Sequence, residues 1–194
     1  MPATVRLISH AATAELRAGA FPADEPLDAR GLADAARAAT RWRWPRAVQA
    51  LTSPTLRARQ TAEALGFAAA ASEPALADLD AGRWRGAKLA AIAAEAPEAL
   101  GAWIGDAAAA PHGGESFVDV LRRVGAWLDG LPATADLVAV THAAVLRAAI
   151  AHALGTPPDA LLRLDIAPLT RIDLTRAPRG WVLRLDDAAS PGSA

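Results

Sequence analysis

Three short apolar runs share one pattern, and that pattern limits the possible folds of this chain more than any other feature. Residues 4–10 read TVRLISH, residues 46–54 read RAVQALTSP and residues 136–142 read DLVAVTH. Each is a β-branched or aliphatic run that stops on polar or turn residues, as a buried strand does. The second and third lead directly into helical patterns, PTLRARQTAEALG and AAVLRAAIAHALG, each closed by a glycine suited to a C-cap, Gly66 and Gly155. The first is followed by a helix-like start, a polar connection (FPADEPLDARG) and a helix over residues 31–40. Strands alternating with helices predict an α/β fold of three layers, α/β/α, with a mainly parallel sheet and helices on both faces. Such sheets bind ligands outside the carboxyl ends of their strands. That rule places Ser9, His10, Thr52, Ser53, Thr141 and His142 on one rim.

The rest of the chain fits around this frame. Helices are predicted over 88–95, 98–105 and 115–130, with DAAAAPHGGES (106–116) as the loop before the last and Glu115 near its start. LTRIDLTR (169–176) and WVLRLDD (181–187), joined by APRG, predict a hairpin. With 194 residues and no repeat or linker, the expectation is a single domain over 1–187 and a disordered tail over 188–194.

Composition narrows the function. No cysteine is present, which removes disulfides, thiol catalysis and cysteine-ligated metals and suits a reducing cytoplasm. A net charge of −1 argues against a dedicated nucleic-acid binder. The opening MPATVRLISH lacks the layout of a signal peptide, and no apolar run is long enough to span a bilayer. The expected setting is the cytoplasm, away from membranes. Lys88 is the only lysine among many arginines, so an arginine carries meaning here only by its position.

Two histidines at equivalent strand ends form a constellation. No HxH or HExxH spacing accompanies them, so a metal site is not expected. Ser9 and His10 are neighbours on a strand and point to opposite faces, which makes a poor nucleophile–base pair. Ser53 lacks the glycines of a nucleophile elbow and is read, like Thr55, as a cap for the following helix. Arg57 and Arg147 each lie one turn into the helix after a rim strand, where anions are favoured; Arg59 is read as a surface residue. Asp78, in LADLDAGRWRG, could act as a general acid, with Asp80 as the alternative. Two histidines and two helix-start arginines on one rim suit a phosphoryl group.

Together these segments resemble the histidine phosphatase superfamily, the phosphoglycerate mutase-like fold. LISHAAT resembles its RHG motif, TSPTLRARQTAEALG the block with its second arginine, LADLDAGRWRG its acid-bearing segment, HGGES a common loop, and VAVTHAAVLRAAIAHALG the block with its second histidine. The resemblance implies a phosphatase that hydrolyses a phosphate monoester through a phosphohistidine on His10, with Arg57 and His142 holding the phosphoryl oxygens and Asp78 donating the proton. It implies no cofactor and no metal, and a phosphorylated small molecule as the partner. Three departures follow from it. Ser9 stands in place of the RHG arginine, Ala11 in place of the glycine, and Leu16 near the place of an asparagine. Arg17 or Arg147 could compensate for the missing cation. The alternative is a catalytically weak phosphate- or ligand-binding member; the short connections disfavour a mutase-type transferase. Phe21, Trp84 and Trp103 are candidate apolar contacts of the pocket, with core packing preferred for Trp103.

Overall fold

The computed structural model describes residues 2–184; the expected tail at 188–194 and the last three residues of the predicted final strand lie outside them. Chain order is β1 (Thr4–Ser9), α1 (Ala14–Arg17), α2 (Ala29–Arg41), β2 (Gln49–Thr52), α3 (Leu56–Ala64), β3 (Ala71–Ser72), α4 (Leu89–Glu95), α5 (Pro97–Gly105), α6 (Phe117–Gly130), β4 (Asp136–Thr141), α7 (Ala143–Leu154), β5 (Arg171–Ala177) and β6 (Gly180–Arg184). The sheet has six strands in the order β3-β2-β4-β1-β5-β6. β3, β2, β4 and β1 run parallel, and the hairpin β5–β6 adds antiparallel to β1. The fold is the expected mainly parallel α/β/α arrangement. The two-residue β3 carries no apolar alternation for a sequence pattern to detect.

Strand periodicity decides which side chain enters which layer. Val5 and Leu7 of β1, with Leu137 and Ala139 of β4, face a core shared with Val120, Val124 and Leu128 of α6 and with Val145, Leu146 and Ala149 of α7. The alternate residues Ile8, Val138 and Val140 face Ala38 of α2 and Ala58 and Ala62 of α3. Both sheet faces are therefore covered, and the alanines on the second side let α2 and α3 approach closely.

Several helix ends follow local chemistry. Gly155 closes α7 at φ 61°, and Gly66 follows α3 at φ 94°, both conformations that glycine adopts without strain. Ser116 caps α6 with Asp119 in a reciprocal capping box. α3 differs: its N-cap is Thr55, whose side chain makes no capping bond. Leu56 N–H donates instead to Asp24 Oδ1 at 2.7 Å, a cap from a distant loop. Among the described residues no helix is long and apolar enough to cross a membrane.

Candidate active site

β1 and β4 are adjacent and in register, Ser9 beside Thr141, so the residues that follow them meet. The His10 and His142 ring centroids are 5.1 Å apart. His10 Nδ1 lies 2.7 Å from the Ala11 carbonyl oxygen. A carbonyl only accepts, so Nδ1 carries the proton and Nε2 keeps its lone pair. Burial, and then the neighbouring His142, lower the His10 pKa to about 4. His10 is a neutral imidazole at neutral pH, with its free nitrogen available as a nucleophile.

His142, the N-cap of α7, is 1 % exposed. Its Nε2 is hydrogen-bonded to the Ser53 hydroxyl at 2.7 Å, and its Nδ1 lies 3.2 Å from Asp78 Oδ2. Ser53 is therefore not the cap expected for α3. Its side chain orients His142, a role that depends on a residue 89 positions away. Arg57, 1 % exposed, donates through one terminal nitrogen to Asp78 Oδ2 at 2.7 Å and through the other to the Ala23 carbonyl at 3.0 Å. Glu25 Oε1 stands 3.7 Å from the latter nitrogen. Arg57 Nε–H is shielded from solvent and has no hydrogen-bond partner among the described residues.

Asp78 is the hub. Oδ2 faces both Arg57 and His142, and Oδ1 accepts from Leu79 N–H at 2.9 Å. Burial pushes its carboxyl up, but His142 and Arg57 outweigh burial and hold it well below the usual carboxylate range. Arg123 of α6 holds the segment before it, donating to the Ala75 and Ala77 carbonyls at 2.7 and 3.1 Å while its other nitrogens pair with Glu115. The segment after it interlocks with the 112–114 loop. A Cβ on Gly114 would stand 1.9 Å from the Asp80 carbonyl oxygen, and one on Gly82 2.2 Å from that of His112. Asp80 itself pairs with Arg85 in a more exposed position, so the structure brings Asp78 rather than Asp80 to the histidines.

The other candidates fall in different places. Ser9 is 2 % exposed; its hydroxyl donates to the Ala167 carbonyl at 2.7 Å and accepts from Thr170 N–H at 3.0 Å. Thr52 and Thr141 also spend their hydroxyls on backbone carbonyls, those of Ser53 and Leu76. Arg17 pairs with Asp28, the N-cap of α2, at 2.6 Å, and it still lines the cavity of about 390 Å³ that holds Ser9 and His10. Arg147 donates through Nε to the Leu164 carbonyl at 2.6 Å. It lines a cavity of about 350 Å³ together with His10, Phe21, Asp78 and Trp103. Trp84 is buried against Ala81, Ile92 and Leu100 and is a core residue. Trp103 belongs to both core and cavity, so core packing alone does not describe it. A second cavity, of about 560 Å³, lies against Arg57 and Asp78 and is rimmed by Asp24, Asp80, Arg85, Glu115 and Arg123. Asp78 lines both. No group of three or more histidine, aspartate and glutamate side chains among the described residues is placed to hold a metal ion.

Arg57 and His142 stand 3.5 Å apart beside His10, two donors that an anion could take over from Asp78. The model of the histidine phosphatase superfamily, branch 1, matches residues 5–187. An alignment 128 residues long, which covers 62% of this chain, is 34% identical to the bifunctional protein Rv2228c of Mycobacterium tuberculosis. It covers 35% of the relative, so the chain spans about a third of the length of the curated relatives it matches. The mycobacterial glucosyl-3-phosphoglycerate phosphatase Rv2419c, solved with VO3, superposes with a TM-score of 0.81 at 26% identity, covering 94% of this chain and 98% of that one. A putative α-ribazole-5'-P phosphatase from Escherichia coli K-12 shares the fold, with a TM-score of 0.85 over the full length of both chains at 24% identity.

Proposed function

Because the chain belongs to the histidine phosphatase superfamily, branch 1, we propose that it is a metal-independent phosphatase that hydrolyses a phosphate monoester through a phosphohistidine on His10. The observation that carries this reading is the state of His10. Its Nδ1–H is engaged by Ala11 and its pKa lies far below neutrality, so the lone pair of Nε2 is available inside the cavity. Nε2 attacks phosphorus as the ester P–O bond breaks, and the phosphoryl group transfers to nitrogen. The leaving oxygen takes a proton from the acid. Water then attacks the phosphohistidine, loses a proton to the same carboxylate, and inorganic phosphate departs. Charge stabilisation by positioned donors dominates such transfers. Arg57 and His142 are those donors, and the cavity also opens on the first turn of α7, where Ala143 and Ala144 line it.

In the free protein the proposed acid, Asp78, occupies the two donors that a phosphoryl group needs. Substrate therefore displaces it. Once separated from Arg57 and His142 and set beside an anion, a carboxyl rises toward its protonated form. The proton comes from solvent through the polar cavity that Asp78 also lines.

Ser9 favours a second reading, a weak or inactive ligand-binding protein. We read it as standing where the superfamily carries its first arginine, and its hydroxyl is committed to Ala167 and Thr170. The test is a rate measurement with 4-nitrophenyl phosphate in EDTA, wild type beside His10→Ala, together with trapping of an acid-labile, base-stable phosphoenzyme. A His10-dependent rate and label support the phosphatase; rates equal to those of His10→Ala, with phosphate still bound, support the second reading.

A further inference from the structure

Resting on the phosphatase reading, we infer that the substrate is the monophosphate of an uncharged alcohol with an apolar or aromatic body, and not that of a polyol or an acid. The cavity beside His10 is walled by Leu16, Phe21, Leu79, Trp103, Phe117 and Ile166. Three of these rings pack in series: Phe21 and Trp103 centroids are 5.2 Å apart, and those of Trp103 and Phe117 5.6 Å. Leu16 is 46 % exposed, yet it lines both this cavity and the neighbouring one that holds Ser9 and His10. A solvent-facing leucine beside a nucleophile is what an apolar ligand would cover.

The charges point the same way. Glu25, Asp78 and Asp165 line the cavity against one arginine, Arg147. Arg147 has Nε bound to the Leu164 carbonyl, and its charge is faced by Asp165 and Asp78. Arg57 and His142 are needed for the phosphoryl group. A carboxylate or second phosphate on the leaving group would meet one cation, Arg147, already faced by Asp165, with Glu25 as a further like charge. A polyol could give hydroxyls to Glu25 or Asp165, but it would cover little of the apolar wall formed by Phe21, Trp103 and Phe117. An aromatic or aliphatic body instead exchanges water for apolar contact, worth roughly a hundredfold in affinity for a ring-sized group.

The experiment compares alkyl esters of similar leaving-group basicity: 3-phenylpropyl phosphate, glycerol 1-phosphate and 3-phosphoglycerate. It also measures calorimetric binding of the non-hydrolysable 3-phenylpropylphosphonate and 3-phosphonopropionate. The phenylpropyl ester is expected to show a kcat/KM roughly a hundredfold above both others, and its phosphonate the tighter binding. Leu16→Asn, at an exposed position that does not threaten the fold, should narrow both ratios several-fold. Equal or better turnover of glycerol 1-phosphate or 3-phosphoglycerate, dependent on His10, would overturn the substrate class and leave the phosphatase reading intact. If no ester turns over above His10→Ala, that reading fails while the phosphonates still decide the ligand class: preference for the phenyl compound sustains it, and parity or reversal overturns it.

Discussion

Arg57 and Asp78 meet through a single oxygen, with a guanidinium nitrogen 2.7 Å from Oδ2. The same oxygen faces His142 Nδ1 at 3.2 Å. One carboxylate oxygen thus holds the two donors proposed for the phosphoryl group. Asp78→Asn removes the competing charge and should bind orthovanadate or phosphate about tenfold more tightly, while kcat falls about 10²-fold or more for want of the acid. Calorimetry and steady-state rates check the two effects separately. Weaker anion binding in the variant would show that Asp78 does not compete for the site.

Of the side chains clustered around Asp78, Ser53 touches His142, through the 2.7 Å bond to Nε2. Ser53→Ala leaves that buried nitrogen only the longer 3.4 Å contact with Thr55 Oγ1, a cost of about 1–3 kcal/mol. The expected result is a kcat loss of roughly tenfold with a changed ¹⁵N shift pattern for the His142 ring. A purely structural role would lower the melting temperature and leave the ring tautomer as it was.

Ser9 ties the end of β1 to the 167–170 loop, and it also borders a cavity of about 390 Å³ shared with His10 and Ala143. Ser9→Ala should destabilise by about 1 kcal/mol through the lost hydrogen bonds and leave the rate almost unchanged. Ser9→Arg pays the same local cost but extends a guanidinium into that cavity, and the rate should rise roughly tenfold or more, as for arginines acting on a transferring phosphoryl group. Urea unfolding and turnover of 4-nitrophenyl phosphate separate the two effects.

The His10 pKa of about 4, against an ordinary 6.5, also links stability to pH. The unfolded chain takes up a proton at His10 as pH falls through 6.5, and the folded protein does so only near 4. Stability from this residue is therefore complete above 6.5 and declines as pH drops toward 4. Asp78, depressed below its ordinary 3.8, loses its contribution only at still lower pH. Urea unfolding at pH 7 and pH 4.5 should show a smaller pH-dependent loss for His10→Ala than for wild type. NMR titration of the His10 ring should find its midpoint near 4.

Gly114 and Gly101 make a matched pair. Gly114→Ala drives a methyl against the Asp80 carbonyl, which would stand 1.9 Å away, so the segment carrying Asp78 must move. Stability should fall by about 2 kcal/mol or more, and activity should fall with it. In Gly101→Ala the new methyl meets nothing within 4 Å, and the exposed helical site should gain about 0.5–1 kcal/mol. Thermal unfolding of both variants checks the contrast.

The layers of the fold and the meeting of His10 with His142 were legible because both rest on periodicity and strand ends. Val5 and Leu7 alternate with Arg6 and Ile8, and two strands that pair in parallel bring their following residues together. What was not legible depended on side chains reaching across the chain. Thr55 has the composition of a helix cap, but Asp24 supplies the bond to Leu56 N–H. Ser53 has the same composition and instead orients His142. Arg17 lies close to His10 in sequence yet pairs with Asp28.

By itself the sequence determined the α/β order of elements and the rim on which two histidines and Arg57 gather, because strand and helix periods and strand-end positions are local properties of the chain; Asp78 was preferred to Asp80 as the acid only through the family resemblance. Only the tertiary structure decided which donors that acid occupies, where the Ser9 hydroxyl is spent and that Leu16, Phe21 and Trp103 share one wall. Those pairings are set by how loops distant in sequence pack together, and a hydroxyl or carboxylate takes whichever partner that packing brings within hydrogen-bonding distance.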